Sequence, residues 1–248
     1  MFSIDEVASA LHNREFFLEY LPTMSLADKR CTGAESLIRW RKGAEVVPPM
    51  AFIPGIENTP LSGPITYWVI DTIAQELRSW LLEQDNVHIS INVPPEIFGR
   101  GGLAYASKNS RLEDVADKLI LEVTERGILD SLGVAGINAA NEKKMLIALD
   151  DMDIKNQNLY VLSRVPANIV KLDKSFVDEM LRPDWSSQKI ASISSLIRNG
   201  DLCVIAEGVE TAEQVKILMA AGVQEAQGWY FSPSLSASDF MTFYAAHQ

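Results

Sequence analysis

The chain has 248 residues, 47% of them hydrophobic, which suits one large domain or two small ones with a substantial core. Its 33 Asp and Glu outweigh 22 Lys and Arg, for a net charge of −11 and a pI near 4.8. That balance excludes a protein that grips nucleic acid or anionic membrane mainly by charge, because neutralising phosphates takes clustered Lys and Arg; a phosphate ligand would arrive with metal ions.

The first strand-like run is FFLEYLPTM (16–24), joined to AESLIRW (34–40) by a connection too short for a helix, so the first strand is expected to run antiparallel. A helical pattern over 65–82 leads to VHISINV (87–93), and KLILEVTE (118–125) precedes a helix over 132–141 and MLIALD (145–150). A helix over 158–164, NIVKLD (168–173), a helix over 187–198, LCVIAEGV (202–209), a helix over 211–221, AQGWYFS (226–232) and a last helix over 237–246 complete the chain. Gly200 and Gly222 read as helix stops, and Ser236 or Ser238 as the cap of the last helix.

Eight strands alternating with helices match a (β/α)8 barrel, here modified by its antiparallel first strand. A doubly wound open sheet is the rival. No Gly-x-Gly-x-x-Gly turn follows an early strand, and polar residues cluster at strand C-terminal ends, where barrel sites are built; both favour the barrel. No repeat or linker divides the chain, so residues 1–248 read as one domain.

Cys31 and Cys203 lie far apart, and His12, His88 and His247 form no motif, so neither a disulfide framework nor a zinc site is expected. No segment approaches the roughly 20 apolar residues of a membrane span, and the polar start MFSIDEVASALHNRE lacks the centre of a secretory signal. The default expectation is cytoplasmic, either as a whole protein or as the cytoplasmic domain of a longer one.

Seven consecutive runs carry a polar residue where a structural strand would be apolar: Glu35, Asn92, Glu122, Asp150 with Asp151, Lys171, Glu207 and Gln227. In a barrel these converge on one mouth. Taken singly, Lys171 reads as the neutraliser of a carboxylate and Asn92 as a turn residue before Pro94; the argument rests on joint placement. Clustered carboxylates cannot all stay ionised without a counter-charge, and oxygen ligands with an Asn among them suit Mg²⁺ or Mn²⁺. The Asp150-Asp151 pair suggests a carboxylate bridging two ions, the clamp used for in-line displacement at phosphorus. The residues alone thus point to a metal-dependent phosphoesterase.

The segments GAESLIRW, PPMAFIPGIEN, ISINVP, LILEVTE, IALDD, IVKLDKSFV, VIAEGVET and QGWYFSPSL, in this order, resemble the EAL domain family of phosphodiesterases, which hydrolyse cyclic di-GMP to linear pGpG. The resemblance implies that Glu35, Asn92, Glu122 and Asp150 hold a first metal, and that Asp150, Asp151 and Glu207 serve a second. It implies that Lys171 contacts the attacking water or the scissile phosphate, with Glu35 and Glu207 among the catalytic groups. Arg39 would hold a substrate phosphate, Gln227 and Glu210 would be further substrate-binding positions, and Glu125 would brace the loop after the fifth strand. Two Mg²⁺ or Mn²⁺ ions, inhibition by Ca²⁺, cyclic di-GMP as ligand and a homodimer follow as expectations; nucleic acid and membrane do not.

The chain departs from the family pattern at three places. Ser36 replaces the alanine of the signature, Leu21 replaces a glutamine, and 152–158 reads Met-Asp-Ile-Lys-Asn-Gln-Asn where a Phe-Gly-Thr-Gly-like turn is usual. Loss of both glycines forces another backbone path. The second reading is therefore a catalytically weak or inactive cyclic di-GMP receptor.

Overall fold

The computed structural model describes residues 2–94, 96–98, 101–124, 131–150, 166–181 and 202–248. The strands are β1 (Phe16–Ser25), β2 (Cys31–Lys42), β3 (Glu45–Val47), β4 (His88–Asn92), β5 (Leu119–Thr124), β6 (Leu146–Asp150), β7 (Ile169–Leu172), β8 (Cys203–Ala206) and β9 (Glu225–Gln227). Among the described residues the helices are α1 (Ile4–His12), α2 (Ser62–Leu81), α3 (Gly102–Asn109), α4 (Ser131–Glu142), α5 (Lys174–Glu179), α6 (Ala212–Ala221) and α7 (Ala237–Ala246).

Strands β2 and β4 to β9 pair in parallel sequence, and β1 closes the sheet by pairing antiparallel with both β2 and β9. The result is an eight-stranded barrel with one reversed strand, as the 25–30 connection requires. The open-sheet rival is excluded. Strand β3 hangs on β2 outside the ring.

Strand periodicity sorts the wall into two faces. Ile120, Ala148, Ile169 and Ile205 form an apolar layer within the barrel. Two residues further along the same strands come Glu122, Asp150, Lys171 and Glu207, so the polar layer sits directly toward the C-terminal ends. The opposite face packs on helices: Ile70, Ile73, Leu77 and Leu81 of α2 bury against a cluster that includes Ile89, Ile91 and Leu121. Each such side chain contributes about 1.5–3 kcal/mol by leaving water.

Several elements differ from expectation. Helix α1 escapes the apolar pattern because only Val7 and Ala10 are buried; a Ser3–Glu6 capping box starts it. Short elements β3, α3 and α5 carry too few residues for a periodic signal. The last strand ends at Gln227 rather than Ser232, because Gly228 takes φ 145° and turns the chain, leaving Trp229 exposed. Ser236 caps α7 and Gly222 ends α6, as expected. The proposed helices over 158–164 and 187–198, with Gly200, lie outside the described residues.

Candidate active site

Lys171 is 1% exposed, and its ammonium is the centre of the mouth. Nζ lies 2.5 Å from Glu207 Oε1, 2.8 Å from Glu122 Oε2, 3.1 Å from Glu35 Oε2 and 3.9 Å from Asp150 Oδ1. Asn92 Nδ2 donates to Glu35 Oε1 at 2.9 Å, and Gln227 Nε2 donates to Glu35 Oε2 at 2.6 Å and to Glu207 Oε1 at 3.5 Å. Six strands thus deliver their polar residues to one point, together with Glu207 immediately after β8.

The electrostatics follow from four carboxylates facing one ammonium. Burial opposes the charge on Lys171, but the carboxylates of Glu122, Glu35, Glu207 and Asp150 overcome it and hold the lysine well above its ordinary range. Burial likewise raises Glu35, yet the Lys171 charge and hydrogen bonds from Asn92, Gln227 and Lys171 leave it below a normal carboxylate. Burial drives Glu122 well above its normal range, reinforced by Glu35 and only partly countered by Lys171. Burial also pushes Glu207 up, to about 7, against the pull of Lys171.

The donor set suits a hard divalent cation: carboxylate and amide oxygens, without sulfur or imidazole. Glu122 Oε2 is buried without a hydrogen bond, since Lys171 approaches it out of line. Such an oxygen has lost water and gained no full replacement, which is the condition a bound cation would relieve. Among the described residues no three acidic, His or Cys side chains surround a point ready for an ion. The Lys171 ammonium occupies the shared centre of the ring. The neutralising contact read for Lys171 in isolation is the one seen.

Other expected positions fall around this centre. Arg39 lies on the same face of β2 as Glu35, four residues toward the rim; its Nε meets Glu19 Oε2 at 2.8 Å and its guanidinium donates to the Ile38 carbonyl at 3.1 Å and to Ser234 Oγ at 3.4 Å. Glu210 sits apart from the ring in an exposed pair with Lys174 Nζ at 2.9 Å. Asp151, Glu125 and the 152–158 loop lie outside the described residues. Ser36 is explained: its side chain points away from Glu35, out of the barrel, and donates to the Ser90 carbonyl at 2.7 Å. Leu21 stands directly opposite Glu35 in the β1–β2 register.

Residues not anticipated are Glu19, Ser234 and Thr23. Ser234 Oγ donates to Glu19 Oε2 at 2.6 Å, completing the bracket on Arg39, and Thr23 Oγ1 donates to Gln227 Oε1 at 3.2 Å. The polar alternation in EYLPT, positions 19 to 23, is the signal that could have found two of them. The rim beside Gln227 is tightly closed. Val209 N donates to the Gln227 carbonyl and Tyr230 N to the Val209 carbonyl, at 3.0 and 2.9 Å. A Cβ at Gly228 would lie 2.3 Å from Val209 N and 2.4 Å from its carbonyl oxygen.

A barrel with one reversed strand and an acidic ring around a buried lysine defines a class, and comparison with known proteins agrees. The EAL domain family matches residues 4–234. The chain belongs to that family. Probable cyclic di-GMP phosphodiesterase PdeB of Escherichia coli K12 is 31% identical over 242 residues, covering 96% of this chain and 46% of PdeB. Cyclic di-GMP phosphodiesterase PdeL of the same organism is 30% identical over 244 residues, covering 96% of this chain and 67% of PdeL. The chain therefore spans about half the length of the first of these relatives. Among solved structures, the EAL enzyme Bd1971 bound to cAMP and cyclic di-GMP superposes with a TM-score of 0.89 at 29% identity, over 97% of this chain and 67% of that one. The PaMucR phosphodiesterase in complex with c-di-GMP gives 0.86 at 27% identity, over 96% and 98%. No described helix is long and apolar enough to cross a membrane.

Proposed function

We propose that the chain is a metal-dependent phosphodiesterase that opens cyclic di-GMP to linear pGpG, with residues 1–248 acting as one EAL-type domain. The observation that carries this reading is the ring of Glu35, Glu122, Asp150 and Glu207 around Lys171 at the mouth of a barrel of this family. The names of PdeB, PdeL and the PaMucR complex supply the substrate.

In this proposal Glu35, Asn92, Glu122 and Asp150 would hold one divalent ion, and Asp150, Asp151 and Glu207 would hold a second, Mg²⁺ or Mn²⁺. When bound, the ions supply Lewis acidity toward the phosphodiester and make water a nucleophile near neutral pH. Lys171 holds the attacking water or a scissile-phosphate oxygen by its ammonium. Glu207, beside it, offers a carboxylate oxygen to the water proton. Arg39, braced by Glu19 and Ser234, presents its guanidinium edge to a phosphate oxygen of the substrate. Gln227 and Glu210 contact the ligand, and Glu125 braces the loop that follows β6. Ca²⁺ inhibits, since its longer bonds and looser geometry would misplace the water. A homodimer assembled through the region of 152–158 and a cytoplasmic location belong to the same proposal.

Purified protein incubated with cyclic di-GMP and Mn²⁺ should release pGpG, and Glu35→Ala should abolish it. Absence of product from folded protein overturns this reading. Leu21 opposite Glu35 favours the second reading, a receptor without turnover, because it places an apolar side chain beside the ring. Calorimetric binding of cyclic di-GMP with no pGpG over hours would select it.

A further inference from the structure

The side-chain amide of Gln227 has two ends, and only one arrangement satisfies both. Its Nε2 must face Glu35 Oε2 and Glu207 Oε1, since both are acceptors; its Oε1 then faces away and needs a donor. Thr23 supplies it. The two residues are direct cross-strand neighbours, Thr23 on β1 and Gln227 on β9, and Thr23 Oγ1 donates to Gln227 Oε1 at 3.2 Å with both residues buried. The contact lies in a regular stretch of the β1–β9 ladder, in which Met24 and Ser25 pair with Ala226 and Glu225. Among the described residues the Thr23 hydroxyl hydrogen-bonds to Gln227 and to none of the carboxylates.

We infer that Thr23 is a positioning residue, whose hydroxyl locks the Gln227 amide in the orientation that donates to Glu35 and Glu207. Without the hydroxyl, Oε1 is left buried and unpaired, the amide loses one of its two anchors, and Nε2 is no longer held against Glu35 and Glu207. Because Thr23 borders a cavity of about 310 Å³ beneath the site, a change of one atom in its side chain is accommodated without displacing the wall.

The kinetic part of the test rests on the phosphodiesterase reading, and a spectroscopic part does not. Thr23→Val replaces the hydroxyl with a methyl group of similar shape, and Thr23→Ser keeps the hydroxyl. In metal-free protein, the Gln227 side-chain NH₂ resonances, assigned by their loss in Gln227→Ala, should be exchange-protected in wild type and Thr23→Ser and should shift and lose protection in Thr23→Val. With cyclic di-GMP and Mn²⁺, Thr23→Val should lower kcat about fivefold with Tm little changed, and Thr23→Ser should restore most of it. Adding Thr23→Val to Gln227→Ala should cost nothing further. If Thr23→Val leaves the Gln227 resonances protected, or if Thr23→Ser is as impaired as Thr23→Val, the inference is overturned. If wild type shows no turnover, the phosphodiesterase reading fails and the resonances alone decide about Thr23. Should Thr23→Val not fold, Thr23→Ala takes its place with the same expected outcomes.

Discussion

The ammonium of Lys171 stands 2.8 Å from Glu122 Oε2, and both side chains are only 1% exposed. The lysine charge has no access to water, so it depends on Glu122 and the remaining carboxylates. Lys171→Met should therefore unfold more easily by about 3–5 kcal/mol in chelator, as expected when one partner of a buried pair is removed. Saturating Mn²⁺ should recover part of the loss, since a cation bound by the same oxygens replaces the missing charge. Urea titrations with EDTA and with Mn²⁺ measure both effects.

Glu122 gives the opposite sign. It is the carboxylate most penalised by burial and by its acidic neighbours, and one of its oxygens has no hydrogen bond. Glu122→Gln should stabilise metal-free protein by about 1 kcal/mol, because a buried like charge is removed while the volume is kept. The same change should lower turnover of cyclic di-GMP by about 100-fold. Paired melting and turnover assays test whether stability and activity move apart.

Far from the mouth, the carboxylate of Glu6 is held down to about 2 by the Ser3 backbone N–H and by Lys42, against an ordinary value of 4.5. A depressed folded-state pKa means that the unfolded chain takes up protons first as pH falls. The stabilisation is thus complete above about 4.5 and is lost on the way to about 2. Glu6→Gln keeps the α1 cap geometry and removes the charge. The Tm difference between wild type and Glu6→Gln should be positive near neutral pH and should close as pH approaches about 2.

Tyr20 is fully buried, stacks on Phe240 of α7 and donates its hydroxyl to Glu76 Oε2 at 2.7 Å. The hydrogen bond offsets part of the burial that raises Glu76. Tyr20→Phe should cost about 0.5–1.5 kcal/mol, with packing intact and the exposed Glu76 carboxylate taken up by water. A shift in the urea midpoint without a change in slope is the expected result.

Residues on the co-directional strands were legible because most place their chemistry near their own C-terminal end: Asn92, Glu122, Asp150, Lys171 and Gln227 could be found by reading to the end of an apolar run, and Glu35, early in the longer β2, as a lone acid inside one. Strand β1 defeats that reading. It runs the other way, so its rim residue is Glu19, near its start, and Thr23 lies deeper in the barrel. Direction, not composition, hid them. Arg39 was found, but its bracket was not, because Glu19 and Ser234 are 215 residues apart and meet only when the barrel closes. Helix α1 was missed for a different reason: it buries too narrow a stripe, and its Ser3–Glu6 cap carries the signal instead.

Gly228→Ala should disorder the rim at Val209, where the added Cβ would strike backbone rather than a side chain that could swing aside. Loss of exchange protection at the Val209 and Tyr230 amides, with the α2 amides unchanged, is the expected signature.

That same seam has a mechanical consequence. The chain leaving β8 after Glu207 and the chain leaving β9 after Gln227 are stitched together through Val209, with no room between them for even a methyl group. Glu207 and Gln227 therefore ride on a single rigid lip of the mouth. A ligand that displaces one displaces the other, and any adaptation to ligands of different size must be made by the opposite lip.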